Sequence, residues 1–177
     1  GKTITFSMTE HLTALIRNGL PASRTDFFGG YAEISFGRLV FHANTEKIKT
    51  FAPFIPQEGD NPIGETGAVL RLAVCFYDGK NKNCIPYLPF SQLWIRPRQE
   101  KDYVQPENRP AGGRLFKKLL CDRKIDASKR DQIPLIVSEK NNILWTALSG
   151  RERTAIPKEG EKAIRIELLH TERRSSE

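Results

Sequence analysis

The sequence predicts an α+β fold of small mixed or antiparallel sheets with a few short helices, divided into two small subdomains. Three observations carry this. Period-two alternation recurs in short runs bounded by turn residues, helical spacing is confined to a few brief stretches, and 177 residues with 38% apolar content suffice for one ordinary domain or two small ones.

The elements follow in order. Ser7-Met8-Thr9-Glu10 is a capping-box pattern, and Met8, Leu12, Leu15 and Ile16 then fall on one helical face. A helix is expected from about residue 8 to Asn18, stopped by Gly19 and Pro21. From Tyr31 to His42 apolar residues alternate around Phe36-Gly37-Arg38, as in a strand pair or a kinked strand. Asn44 to Gly67, rich in Pro, Gly and acidic residues, reads as an irregular connection. Ala68 to Tyr77 reads as a strand, Asp78-Gly79-Lys80-Asn81 as a turn, and Ile85 to Arg96 as an extended stretch interrupted by prolines. A helix is expected over Arg114–Leu120, and Ser128 can cap a short helical turn running to Asp131. Ile133–Val137 and Ile143–Thr146 are strands joined by a hairpin loop at residues 138–142, and Ala163–His170 alternates as the last strand. The polar tail from Thr171 is expected to fray. A composition shift near Leu93 sets the expected boundary, giving residues 1–92 and 93–177.

No apolar run approaches the length of a bilayer span, and no basic n-region precedes an apolar stretch at the N-terminus, so a cytoplasmic protein is expected. Cys75, Cys84 and Cys121 lack a C-x-x-C spacing, which argues against zinc and for reduced thiols. A turn at Gly79-Lys80 would set Cys75 and Cys84 opposite each other on a hairpin, where a bridge is geometrically possible.

Charge is concentrated rather than spread. Of 28 Lys+Arg and 21 Asp+Glu, residues 93–130 hold 11 basic and 5 acidic, nearly the whole net charge of +7. A field confined to one segment signals a binding surface for polyanion. At its centre, Gly112-Gly113 opens the expected helix, with Arg114, Lys117 and Lys118 at i, i+3 and i+4 and Leu115, Phe116, Leu119 and Leu120 on the other side. The glycines would let a ligand approach the backbone, and the helix N-terminus would offer N–H groups to phosphate. The competing reading is a solvated helix face. Arg96 and Arg98 alternate on an expected strand, either touching RNA or paired with Asp102 or Glu100. Arg109, Arg123, Lys124 and Lys129 add to the same patch, while Arg130-Asp131 reads as a structural ion pair or helix cap. Trp94 and Trp145 read as core residues, with base stacking the alternative.

Catalytic patterns are missing from the sequence. It has no P-loop, no G-x-G-x-x-G and no G-x-S-x-G, and its three histidines, His11, His42 and His170, lie in separate elements and read as surface or cap residues. No catalytic residue and no metal ligand is expected.

Leu93-Trp94-Ile95-Arg96-Pro97-Arg98, Asp102, Gly112-Gly113, Phe116-Lys117-Lys118-Leu119, Lys124-Ile125, Arg130-Asp131-Gln132-Ile133-Pro134-Leu135 and Ile143-Leu144-Trp145 together resemble the C-terminal domain of bacterial tRNA(Ile)-lysidine synthetases in order and spacing. Residues 1–92 look more loosely like that family's linking domain. The family usually carries a glycine directly before the Asp, where Glu100-Lys101 stand here. The resemblance implies a ligase that uses ATP to couple lysine to the wobble cytidine of isoleucine tRNA. Its catalytic chemistry, with ATP and Mg, belongs to an N-terminal domain whose Ser-Gly-Gly-x-Asp-Ser loop this sequence lacks, so the chain itself needs no cofactor. It would be the tRNA-recognising C-terminal portion, with isoleucine tRNA and the enzyme's own catalytic domain as partners. On that footing the candidate tRNA-binding residues are Arg96, Arg98, Gly112, Gly113, Arg114, Lys117, Lys118, Arg123, Lys124 and Arg130. A reading from another class is an assembly domain whose basic helix docks on an acidic protein partner.

Overall fold

Alternating strands need a second apolar layer to bury their inner faces, and the computed structural model supplies it. It describes residues 6–18, 24–27, 30–35, 37–43, 50–107 and 112–170, so Arg109 and the tail from Thr171 lie outside the described residues. The chain divides into Gly1–Ile48 and Lys49–Glu177.

In the first unit, α1 (Phe6–Asn18) precedes the antiparallel strands β1 (Arg24–Phe27), β2 (Gly30–Ser35) and β3 (Arg38–Ala43). Strands β2 and β3 pair as a hairpin rather than one kinked strand, with Ser35 opposite Arg38 and Gly37 at a φ of +76° that favours glycine. His42, expected at the surface, is buried on the strand. It meets Glu33 Oε1 through Nε2 at 3.2 Å and stacks on Tyr31, which replaces the water its ring has lost. His11 is exposed as expected.

The second unit runs β4 (Gly59–Pro62), β5 (Ala68–Phe76), β6 (Cys84–Pro86), β7 (Leu93–Arg96), β8 (Tyr103–Val104), β9 (Arg114–Leu115), α2 (Phe116–Asp122), α3 (Ala127–Arg130), β10 (Leu135–Ser138), β11 (Ile143–Thr146), β12 (Gly150–Arg151) and β13 (Lys162–His170). Two four-stranded antiparallel sheets form, in the orders β4-β5-β13-β6 and β12-β11-β10-β7, beside the short pair β8-β9. Strand β4 lies inside the stretch expected to be irregular. Its residues Gly-Asp-Asn-Pro carry no alternation, and the strand is held instead by buried Asn61, whose amide donates to the Leu70 carbonyl and whose Oδ1 accepts from the Gln57 N–H.

One core joins the two sheets. Leu70, Leu72, Ile164 and Ile166 from β5 and β13 pack with Ile95, Ile136 and Trp145 from β7, β10 and β11. The expected boundary near Leu93 therefore falls inside a continuous core, and the compact units part between Ile48 and Lys49. A second cluster lies on the other face of the β10 sheet, where Leu135 and Val137 meet Phe116, Leu119 and Leu120 of α2. Strand β10 is thus covered on both faces, which accounts for its unbroken apolar run. Trp145 is buried as expected, but Trp94 points outward from β7 and is 37% exposed, because its neighbours Leu93 and Ile95 take the inward positions.

The cysteines are free thiols. Cys75 and Cys84 do not face each other across a hairpin: β13 runs between their strands, and the two sulfurs stand 4.0 Å apart. Burial and the adjacent Cys75 push the Cys84 thiol up to about 11, which makes it a poor nucleophile. Among the described residues no group of His, Cys, Asp and Glu has the arrangement of a metal site, and no helix is long and apolar enough to cross a membrane.

Candidate nucleic-acid interface

The segment holding the excess charge folds around Arg96. This guanidinium is buried, donating through Nη1 and Nη2 to the two Asp102 oxygens at 2.8 and 2.7 Å, through Nε to Asn141 Oδ1 at 2.9 Å, and to the Pro97 carbonyl. Asp102 also accepts the Gln99 N–H at 2.6 Å, and its own carbonyl receives the Phe116 N–H at 2.7 Å. Arg96 and Asp102 therefore close the 97–102 turn and seat the start of α2. The expectation of two arginines on one exposed strand face is not met, because β7 ends at Arg96 and Arg98 lies beyond it. Arg98 pairs at 2.8 Å with Asp131, the residue after α3.

The glycine-opened helix needs a similar correction. Arg114 and Leu115 form a strand against β8, and α2 begins only at Phe116, so Arg114 does not share a helical face with Lys117 and Lys118. Its guanidinium is paired with Asp122 at the far end of α2. At Gly113 an added Cβ would lie 2.2 Å from Tyr103 Cε1 and 2.5 Å from Gln105 Cγ. The close approach that this glycine permits is therefore to its neighbouring strand. Gly112 has a φ of +122°, a conformation costly for any other residue.

Lys117 and Lys118 are exposed, as are Arg123 and Lys124 just past the helix, and among the described residues none of these four has an ion-pair partner. Their orientation follows from packing: Phe116, Leu119 and Leu120 bury one side of α2 and leave the lysines on the other. The chain turns immediately afterwards. Ile125 N–H bonds the Leu120 carbonyl at 3.0 Å and Lys124 N–H the Cys121 carbonyl at 2.9 Å, a Schellman closure with Lys124 at a φ of +53° where glycine is the usual occupant. Arg130 is half-buried and donates through Nε to the Ile125 carbonyl at 2.9 Å. It braces this turn, and its expected ion pair with Asp131 is replaced by the Asp131–Arg98 pair.

Beside this segment the β8-β9 pair borders a cavity of about 580 Å³. Glu152, which sequence reasoning passed over, lines it while being 3% exposed. Its Oε2 accepts the Gln105 N–H, but its Oε1 is buried without a hydrogen-bond partner. Burial raises its carboxyl to about 7 against the opposing effect of the Gln105 bond. Nothing in Arg151-Glu152-Arg153 announces this, since an acid between two arginines reads as a solvated run.

Residues 93–168 match the family model described as the TilS substrate C-terminal domain. Residues 93–168 are a TilS C-terminal domain. A solved structure described as the TilS C-terminal domain superposes with a TM-score of 0.57 at 16% identity, covering 67% of this chain and 96% of that one, so the likeness to the TilS fold extends beyond the residues the family model matches. The tRNA(Ile)-lysidine synthase of Shouchella clausii (strain KSM-K16) is 27% identical over 149 residues, which is 77% of this chain. The chain spans 30% of that relative's length. The TilS domain thus includes the Arg96–Asp102 turn, α2 and the Glu152 cavity.

Proposed function

We propose that this chain is the tRNA-recognising C-terminal part of a tRNA(Ile)-lysidine synthetase, and that it holds isoleucine tRNA through the exposed cations Lys117, Lys118, Arg123 and Lys124. The observation that carries the reading is that these four cations, on α2 and its closing turn, have no carboxylate partner among the described residues, whereas Arg96, Arg98 and Arg114 in the same segment all do. Unpaired cations on a packed helix attract phosphate without first breaking an internal bond. The domain assignment and the name of the Shouchella clausii relative support tRNA as the polyanion. Adenylation and lysine transfer, with ATP and Mg, would fall to a catalytic domain outside this chain, docked on or near the present one.

The test is a titration of the whole chain with isoleucine tRNA over a range of salt concentrations. Each phosphate neutralised contributes about 0.9 to the slope of log affinity against log salt, so engagement of the four cations gives a slope of about −3 to −4. Binding that is absent at low salt, or indifferent to salt, overturns the reading.

A further inference from the structure

We propose that the cavity beside Glu152 receives one unstacked nucleobase of the bound RNA, with guanine the best fit. This rests on the reading of the chain as an RNA-binding module and adds a site that discriminates between bases. Glu152 is a cavity-lining side chain, almost wholly buried, with an oxygen that has no donor. A buried acceptor left unpaired costs free energy until a ligand supplies the missing N–H. The cavity wall is otherwise suited to a flat, amphipathic ring. Tyr103 offers a half-exposed aromatic face held against Gly113, whose missing side chain leaves room for the ring. Leu144 adds apolar surface, Asn142 and Thr154 add polar groups, and exposed Lys101, which has no ion-pair partner among the described residues, lines the same cavity and would favour a phosphate attached to the base. At about 580 Å³ the space is in the range of small-ligand sites and large enough for a nucleotide.

The choice of base follows from hydrogen bonding. Guanine presents N1–H and N2–H on one edge: one can fill the vacant Oε1, and the other can reach the second lone pair of Oε2, which already accepts the Gln105 N–H. Uracil offers one donor flanked by acceptors, which a carboxylate repels. Aromatic stacking plus edge-on hydrogen bonding is the general manner in which proteins read unpaired RNA bases. Phosphate contacts along α2 would fix the register, and this cavity would read identity.

The experiment titrates the whole chain at about pH 8, where Glu152 is a carboxylate, with GMP, AMP, CMP and UMP separately, following amide chemical shifts around residues 99–105 and 141–154. GMP is expected to bind about tenfold or more tightly than UMP. Glu152→Gln keeps an acceptor for the Gln105 N–H while presenting an amide donor in place of the unpartnered oxygen, and it should abolish the preference for GMP. Tyr103→Leu keeps an apolar partner for Leu115 across the β8-β9 pair but removes the stacking face, and it should weaken all four nucleotides by a similar factor. Equal affinities for the four nucleotides in the unmodified chain overturn the proposal whether or not the variants fold, as does an unchanged ranking in Glu152→Gln. The two readings fail separately. Salt-dependent tRNA binding without nucleotide preference removes the cavity site alone, and GMP preference without tRNA binding supports the cavity site while removing the α2 surface.

Discussion

Arg96 and Lys118 come from the same charged segment and have opposite fates. Arg96 is sealed beneath the 97–102 turn with its donors taken by protein acceptors, whereas Lys118 stands on the solvent side of α2 with no ion-pair partner among the described residues. A net charge of one sign does not by itself make a binding surface. What counts is which cations remain after the fold has used the others, and here Asp102, Asp122 and Asp131 each neutralise an arginine while the lysines are left over. The arginines are suited to this structural work because their planar forks pair bidentately with carboxylates.

The contrast is most sharply broken at Asp102. Asp102→Ala leaves the buried Arg96 charge uncompensated and frees the turn that seats α2, and it should cost about 3–5 kcal/mol of unfolding free energy in a denaturant titration. The same change in a surface cation should cost almost nothing. Glu152 sets the next largest effect. Its carboxyl titrates near 7 in the folded chain and in the ordinary range near 4.5 when unfolded, so the folded state holds the proton more tightly. Its contribution is therefore most favourable below about pH 4.5, fades as pH rises toward 7, and leaves a penalty of at most about 3 kcal/mol above that. Denaturant midpoints of Glu152→Gln measured from pH 4.5 to 8 should lack this component and gain on the parent as pH rises.

Lys117→Glu with Lys118→Glu tests the other side of the comparison. Stability should move by no more than about 0.5 kcal/mol, while the salt slope of tRNA binding should fall by about 2. The smallest effect is at Lys124. Lys124→Gly relieves the left-handed backbone and should stabilise the fold by up to about 1 kcal/mol, although it removes a cation and weakens tRNA binding. Opposite signs in the two measurements would mark a residue kept for its charge at the expense of its conformation.

Most strands were legible because alternation reports directly on burial of one face, as in Ala68–Phe76 and Lys162–His170. Where neither alternation nor helical spacing operates, legibility failed. Strand β4 is held by the side chain of Asn61, and the Arg114–Leu115 strand depends on a partner across the chain, so helical spacing over Arg114–Leu120 extended the helix too far. The boundary expected near Leu93 coincides with the start of the family-model match, while contact runs across it: β5 and β13, 86 to 102 positions apart, pair along their full length with Ala68 opposite His170 and Phe76 opposite Lys162. For the site, sequence located the exposed lysines and the segment they belong to. It could not separate them from Arg96, because the ion pair that hides that arginine depends on the fold of an intervening turn.

Strand β10 gives the second unit a shared keystone. It is hydrogen-bonded on both edges, to β7 and β11, while its two faces belong to different apolar clusters. Neither cluster can open without exposing the same few residues, so the helix bearing the lysines and the sheet of β4, β5, β13 and β6 are coupled through Leu135–Val137. Amide hydrogens there should be the last to exchange with solvent, and a shorter version of the chain beginning at Leu93 would lose Leu70, Leu72 and Ile85 from the cluster on one face while keeping the cluster on the other.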